Sequence, residues 1–102
     1  MKLSNPFSEE TRLLFLYETA CWDCGRCNNG LELHHNYGRI SGSPLNAVLL
    51  CHTCHERIQK TQEQRHEHLR KSIRFLQVQG YTLTKKDDLF LELIKNDLRG
   101  FM

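Results

Sequence analysis

The sequence lacks the features that mark membrane, exported or disordered proteins. Hydrophobic residues make up 39% of the 102 positions, but they are dispersed, and no run approaches the roughly 20 apolar residues of a membrane span. The opening MKLSNPFSEE has no apolar core of a secretory signal. Charged residues make up 25%, which is ordinary for a globular protein. We therefore expect a globular protein of the cytoplasm with no membrane partner.

The chain has more cysteines than its size would lead us to expect. A length of 102 residues allows one domain, 1–102, whose modest core would gain from an added constraint such as a metal. The five cysteines are an odd number, and no export signal accompanies them. A disulfide framework is therefore not expected, because cytosolic cysteines in CxxC pairs more often bind metal.

The net charge of +2 is too small to name a partner, but it is unevenly distributed. Residues 56–86 hold eight basic and three acidic side chains, which gives this segment a net charge of +5. A concentrated basic segment can meet phosphates. The alternative is an ordinary solvated helix face, with the histidines His66 and His68 exposed on it.

The pattern of residues predicts an α+β, mostly helical fold. Ser8 begins a predicted first helix with an apolar side, and Gly80 ends a long helical region that has a break near Lys60–Thr61. Thr84 and Asp87 would begin a final helix, whose apolar side either packs on the first helix or forms a dimer. The predicted elements are a helix over 8–20, strands over 31–35 and 47–51 joined by a loop, helices within 52–79, and a helix after residue 84.

The cysteines form two pairs with the spacing of zinc ligands. One pair is Cys51 and Cys54, and the run CWDCGRC offers either Cys21 with Cys24 or Cys24 with Cys27. We favour Cys21 and Cys24, because Gly25 directly after the second cysteine suits the tight turn. Zinc prefers four such ligands in a tetrahedron, and four thiolates leave no position for substrate. The prediction is a structural Zn²⁺ held by Cys21, Cys24, Cys51 and Cys54.

Between and beside the cysteine pairs lie three histidines and an asparagine. His34 and His35 end the first predicted strand, Asn46 precedes the second, and His55 follows Cys54 directly. Phosphodiester hydrolysis needs a base for water, a cation at the phosphate, and a group that orients the base. These residue types can supply all three roles. Because neighbours in a strand point to opposite faces, the histidine pair can cooperate only if the strand ends or bulges there.

The ordered set CWDCG, LELHH and NAVLLCHTCH resembles the HNH homing-type nucleases, in the zinc-stapled variant widespread in bacteriophage and bacterial genomes. The resemblance covers about residues 15–60. It implies a ββα-metal core with a zinc knuckle, flanked by an N-terminal helix and by a helical C-terminal extension over 61–102. It also places the protein in the bacterial host cytoplasm if it is phage-encoded.

The resemblance also implies a role for each motif residue. His35 resembles the general base, and Asn46 resembles the asparagine that ties the loop together and so orients that base. His34 and His55 resemble the ligands of a catalytic divalent cation, Mg²⁺ or Mn²⁺. The implied reaction is hydrolysis of DNA, as a nick or a double-strand cut, which yields 5′-phosphate and 3′-hydroxyl ends.

The expected partner is DNA, and RNA stays open as a substrate. Arg39 lies in the loop just after the histidine pair, where it can clamp a phosphate. The expected phosphate contacts are Arg39, Arg57, Lys60, Arg65, Arg70 and Lys71. The protein is expected to be a monomer or a homodimer. The alternative function is a zinc-stapled DNA-binding or adaptor protein without catalysis.

Overall fold

Two antiparallel strands form the centre of the fold. The computed structural model describes residues 6–26, 30–58 and 61–101. Strand β1 (Leu31–His35) pairs with β2 (Ala47–Cys51), with Leu31 opposite Cys51 and His35 opposite Ala47. Both predicted strands are confirmed; β1 ends at His35, and His34 and His35 lie opposite Val48 and Ala47 in unbroken register.

Strand β2 is buried on both of its faces. Val48 and Leu50 pack in one core cluster with the cysteines, whereas Ala47 and Leu49 pack in another cluster with Phe15. Because successive side chains of a strand point to opposite faces, the unbroken apolar run AVLL supplies both clusters at once. The hairpin therefore lies between two layers of side chains.

The first helix is shorter than predicted. Helix α1 spans Glu9–Leu14, and Ser8 caps it by accepting a hydrogen bond from the Thr11 amide at 3.2 Å. The prediction of a helix to residue 20 with a continuous apolar side is wrong. Leu16 and Tyr17 are 60% and 87% exposed, so no core contact favours helix beyond this point.

The helical region after β2 is divided into two helices, as predicted. Helix α2 spans His52–Arg57 and α3 spans Gln62–Val78. The Thr61 hydroxyl accepts a hydrogen bond from the Gln64 amide at 3.1 Å and so caps α3. Lys60 lies outside the described residues. Gly80 follows α3 with a φ of 72°, a left-handed conformation that ends a helix and favours glycine.

Two histidines of α3 correct the expectation of a solvated helix face. His66 and His68 are only 6% and 1% exposed. The His66 ring contacts the main-chain carbonyl of Asp97 in the C-terminal segment, and His68 Nε2 lies 3.8 Å from a carboxylate oxygen of Asp23. Both contacts join residues distant in sequence, so the basic composition of α3 did not reveal them.

The last α-helix, α4, spans Lys85–Leu93, and Thr84 and Asp87 form the predicted capping box. The sequence left open whether the apolar side of this last helix forms a dimer surface. Two of its residues, Phe90 and Ile94, are buried in a core cluster with Leu45, Leu69 and Leu76. Those two residues therefore belong to the core of this chain. Leu89 and Leu93 remain exposed.

The carboxylate of Asp97 joins the C-terminal segment to the rest of the fold. It lies in a short 3₁₀ helix, Lys95–Leu98, and receives hydrogen bonds from Arg65 Nη2 at 2.8 Å and from the Tyr37 hydroxyl at 2.7 Å. The hydrogen bond from Arg65, followed by that from Tyr37, holds the pKa of Asp97 below its ordinary 3.8 although partial burial raises it. A single carboxylate thus connects α3, the hairpin loop and the C-terminus.

Within the described residues, four α-helices and a two-stranded antiparallel sheet make an α+β fold. The radius of gyration is 13.0 Å, the value of a compact chain of about 100 residues. None of the described helices is long and apolar enough to cross a membrane.

We predict that Asp97→Asn lowers the free energy of unfolding at pH 7 by about 2 kcal/mol, because hydrogen bonds to charged groups contribute about this much. A carboxylate with a depressed pKa stabilises the fold above its unfolded pKa and loses that contribution as the pH falls. The difference between wild type and variant should therefore shrink from about pH 5 to about pH 2. Urea unfolding across this range measures it.

The control is Glu92→Gln, which removes only an exposed pair with Lys95 at 2.9 Å. It should leave the free energy of unfolding nearly unchanged. An Asp97→Asn penalty that stays constant down to pH 2 would contradict the assignment of the acid-sensitive contribution to Asp97.

Candidate functional site

The first cysteine pair lies in a tight turn after α1. The Gly25 amide donates to the Cys21 carbonyl at 2.9 Å, and Gly25 has a φ of 76°, which a residue with a Cβ rarely adopts. The Asp23 amide points at Cys21 Sγ from 3.4 Å. Gly25 directly after Cys24 predicts this tight turn, and the prediction is confirmed.

The second pair lies at the junction of β2 and α2. Cys51 is the last residue of β2 and the N-cap of α2, where its sulfur accepts a hydrogen bond from the Cys54 amide at 3.5 Å. Cys54 lies in the first turn of α2. The CxxC spacing therefore directs both sulfurs to the same side of the junction.

The four sulfurs of Cys21, Cys24, Cys51 and Cys54 lie within 4.8 Å of one another. The Cys24 and Cys51 sulfurs are 3.9 Å apart. In a tetrahedral zinc site with Zn–S bonds of about 2.3 Å, sulfurs are about 3.8 Å apart. The donor set and its spacing therefore fit zinc. Cys27 lies outside the described residues.

The cysteine thiols differ in how readily they lose a proton. Burial raises the pKa of Cys21, but hydrogen bonds from backbone amides, those of Cys24 and Asp23 among them, outweigh burial and lower the pKa to about 6. Burial raises the pKa of Cys54, and contacts with the other thiols raise it further. A divalent cation at the centre would favour all four thiolates together.

The rings of His34 and His55 lie against each other, with centroids 4.3 Å apart and planes at 57°. His34 is on β1 and His55 is on α2, so the packing of α2 on the hairpin brings them together. His55 Nδ1 lies 2.8 Å from Glu32 Oε1, which leaves His55 Nε2 to bind a ligand. The hydrogen bond from His55 holds the pKa of Glu32 below its ordinary 4.5.

The histidine pair offers two possible metal-binding side chains, whereas the cysteine cluster offers four. Over residues 6–26, 30–58 and 61–101, three or more closely spaced metal-binding side chains occur only at the cysteines. Two imidazoles fit a divalent cation that takes its remaining ligands from substrate and water. The two candidate sites thus differ in the number and the type of side chains that they offer to an ion.

His35 has a separate environment. Its ring stacks on Phe7 with centroids 3.9 Å apart and planes at 8°, and it is largely buried. It also lines an open cleft of about 530 Å³. The other lining residues come from the hairpin loop, α3, the end of α4 and the C-terminal segment: Asn36, Tyr37, Gly38, Ile40, Arg65, Leu93, Ile94, Asn96 and Asp97. His35 is therefore held by an aromatic contact at the edge of a space that admits solvent.

Asn46 is fully buried and ties the loop between the strands together. Its amide nitrogen donates to the carbonyls of Gly38 and Ser41, each at 2.9 Å, and its amide oxygen accepts from the Tyr37 amide at 2.8 Å. The loop leaves β1 directly after His35. These three hydrogen bonds fix the loop backbone that follows the histidine.

Several of the cations predicted to contact phosphate have partners within the chain. Arg65 is bonded to Asp97 at 2.8 Å and lies over the Tyr37 ring, and Lys71 Nζ donates to the Trp22 carbonyl at 2.6 Å. Arg70 lies 3.5 Å from Glu67. The side chains of Arg39 and Arg57 are exposed, and Lys60 lies outside the described residues.

Two residues of the site were not predicted from the sequence. Phe7 precedes the N-cap of α1, and nothing in the local pattern relates it to His35. Glu32 had a usable signal, since residues two apart in a strand share a face, and Glu32 is two residues from His34. An acidic residue on the face of β1 that carries His34 is a candidate partner for a histidine ring nitrogen.

Searches against protein-family models, curated proteins and solved structures found no match to this chain. The interpretation of the site therefore depends on the residues and their geometry.

We predict that the purified protein contains one zinc per chain and that Cys21→Ser, Cys51→Ser and Cys54→Ser each remove or strongly weaken it. Each variant replaces one ligand of the four-thiolate set. Metal analysis by mass spectrometry checks the stoichiometry. Because the cluster lies in the core, these variants should also unfold at lower temperature.

The matched control is Cys27→Ser, which should keep the zinc. Loss of zinc in Cys27→Ser with retention in Cys21→Ser would assign the site to Cys24 and Cys27. Zinc retained in both Cys51→Ser and Cys54→Ser would refute the cluster.

Proposed function

We propose that this chain is a small metal-dependent HNH endonuclease that hydrolyses DNA phosphodiester bonds. The observation that carries the proposal is the contact of the His34 and His55 rings at the junction of hairpin and α2. Strand, strand and helix are then the elements of a ββα-metal core. The buried Asn46 and the adjacent cysteine cluster give further support, because each lies where this interpretation requires it.

In this proposal His34 and His55 hold a divalent cation, Mg²⁺ or Mn²⁺. When bound, the cation neutralises charge on the phosphate and on the leaving oxygen. His35, at the end of β1, takes a proton from the attacking water through an imidazole nitrogen. The water oxygen then bonds to phosphorus as the bond to the 3′ oxygen breaks, and that oxygen takes a proton from solvent. The products are 5′-phosphate and 3′-hydroxyl ends.

Two features of the chain support the role of His35. Its stack on Phe7 restrains the ring plane, and the hydrogen bonds of Asn46 restrain the backbone that follows it. A base held in one orientation loses less entropy in reaching the attacking water. The cleft beside His35 provides room for a substrate strand.

The cysteine cluster has a structural part in this proposal. Four thiolates complete the coordination of zinc and leave no open position. Zinc bound there ties the turn at Cys21 to the beginning of α2, and so fixes the helix that carries His55. In this proposal the zinc ion stabilises the fold, and a second cation takes part in the reaction.

The test is nicking of supercoiled plasmid by the zinc-loaded protein with Mg²⁺ or Mn²⁺. Wild type should nick, and His35→Ala should reduce the rate by about 10²–10⁴-fold, the usual contribution of a general base. Asn46→Ala should also slow the reaction and destabilise the fold, because it leaves three backbone groups of the loop without their partner.

The control is His52→Ala, which removes an exposed histidine of the same helix and should nick like wild type. Equal rates for wild type and His35→Ala would remove His35 as the base. Absence of nicking with every cation, while DNA still binds, would favour the non-catalytic DNA-binding or adaptor function. Cleavage of RNA in place of DNA would reassign the substrate.

We also predict that the exposed Arg57 contributes more to DNA affinity than Arg65, whose guanidinium is bonded to Asp97. Arg57→Gln should weaken binding and reduce the slope of log K against log salt by about 1. Arg65→Gln should instead lower the free energy of unfolding, because the Arg65 guanidinium donates hydrogen bonds to the Asp97 carboxylate. Fluorescence anisotropy at several salt concentrations measures DNA affinity and hence its dependence on salt. A larger change in the slope for Arg65→Gln than for Arg57→Gln would contradict the prediction.

A further inference from the structure

We infer that Glu32 is a positioning residue that selects the ring form of His55 and so prepares His55 Nε2 to bind the cation. This inference rests on the proposed function, which gives His55 its role as a ligand. It adds a residue of β1 that was not assigned any function from the sequence.

The geometry that carries it is the 2.8 Å contact of Glu32 Oε1 with His55 Nδ1. A carboxylate only accepts hydrogen bonds, so Nδ1 must carry the hydrogen. In the neutral ring the other nitrogen, Nε2, then has the free lone pair that a cation requires. Histidine ligands commonly donate their second N–H to a carboxylate, which fixes the tautomer and the ring orientation.

The position of Glu32 on the hairpin makes this contact possible. Glu32 and His34 are two residues apart on β1 and share the face on which α2 packs. The same strand therefore supplies one imidazole and the carboxylate that orients the other. The His34 and His55 rings lie 4.3 Å apart, so a rotation of His55 away from Glu32 would also change this pair.

A second histidine of α2, His52, also lies near the Glu32 carboxylate, and its distance can be compared with that of His55. His52 Nδ1 is 3.7 Å from Glu32 Oε2, and His52 Nε2 is 3.4 Å from Glu56 Oε2. These distances exceed the 2.8 Å of the His55 contact and describe exposed ion pairs, which contribute little. Glu32 is therefore bound chiefly to His55.

The experiment measures Mn²⁺ binding by calorimetry, using protein with zinc already at the cysteines. Glu32→Ala should weaken Mn²⁺ binding about 10–100-fold, the usual effect of losing such a partner. Glu32→Gln should retain much of the affinity, because its amide oxygen accepts the same hydrogen bond. His52→Ala, the matched control, should bind Mn²⁺ like wild type.

A second measurement needs no cation. Long-range ¹H–¹⁵N spectra at pH 8 distinguish the two neutral ring forms of histidine, and wild-type His55 should carry its hydrogen on Nδ1. In Glu32→Ala the ring should become a mixture or shift to the Nε2–H form. His52→Ala should leave the His55 signals unchanged.

The outcomes separate this inference from the proposed function. If Glu32→Ala binds Mn²⁺ like wild type and His55 keeps its tautomer, the inference is wrong while the nuclease proposal stands. If Glu32→Gln loses as much affinity as Glu32→Ala, Glu32 is a direct ligand and the positioning role is wrong. If His55→Ala binds Mn²⁺ like wild type, the cation site of the proposed function is itself wrong.

Discussion

The structure depends most on the junction at Cys51. This residue ends β2, caps α2 and contributes one of the four clustered sulfurs. The cluster ties that junction to the turn at Cys21, in a part of the chain whose own side chains offer little core. The direction in which α2 leaves the hairpin follows from this constraint. The separation of His34 on β1 from His55 on α2 follows in turn, so the sulfur cluster and the candidate cation site are coupled through one short helix.

A second constraint acts on the loop between the strands, which is held by buried polar contacts. Ser43 donates to the fully buried Asp87 of α4 at 2.6 Å, and Ser72 of α3 donates to the Pro44 carbonyl at 2.9 Å. Unsatisfied buried polar groups are costly, so these pairs require the loop, α3 and α4 to keep one arrangement. The helices after residue 61 therefore support the loop that Asn46 closes, and with it the end of β1.

Structural features that depend on local interactions could be predicted from the sequence. The alternation and the apolar run predicted both strands to the residue, the CxxC spacing and Gly25 predicted the turn at Cys21, and Thr84 with Asp87 predicted the start of α4. The four motif residues of the candidate site were named from their order in the chain. Their mutual distances depend on the packing of α2, which the order alone does not contain.

The predictions that failed concern contacts between distant segments. The burial of His66 and His68 depends on Asp97 and on the turn at Asp23, which lie 31 and 45 positions away in the sequence. The end of α1 is set by the absence of a core partner for Leu16 and Tyr17, and helix propensity does not report on that. Phe7 reaches His35 for the same non-local reason. Composition places such residues in a helix or a segment, whereas tertiary packing decides what they touch.

We propose that one small chain holds two different ions at two sites, one structural and one catalytic. The most direct test is anomalous diffraction from crystals of the zinc-containing protein soaked in Mn²⁺, recorded at the zinc and manganese edges. We expect a zinc peak among the sulfurs of Cys21, Cys24, Cys51 and Cys54, and a separate manganese peak at the rings of His34 and His55. A manganese peak only at the cysteines, or none at the two histidines, would contradict it.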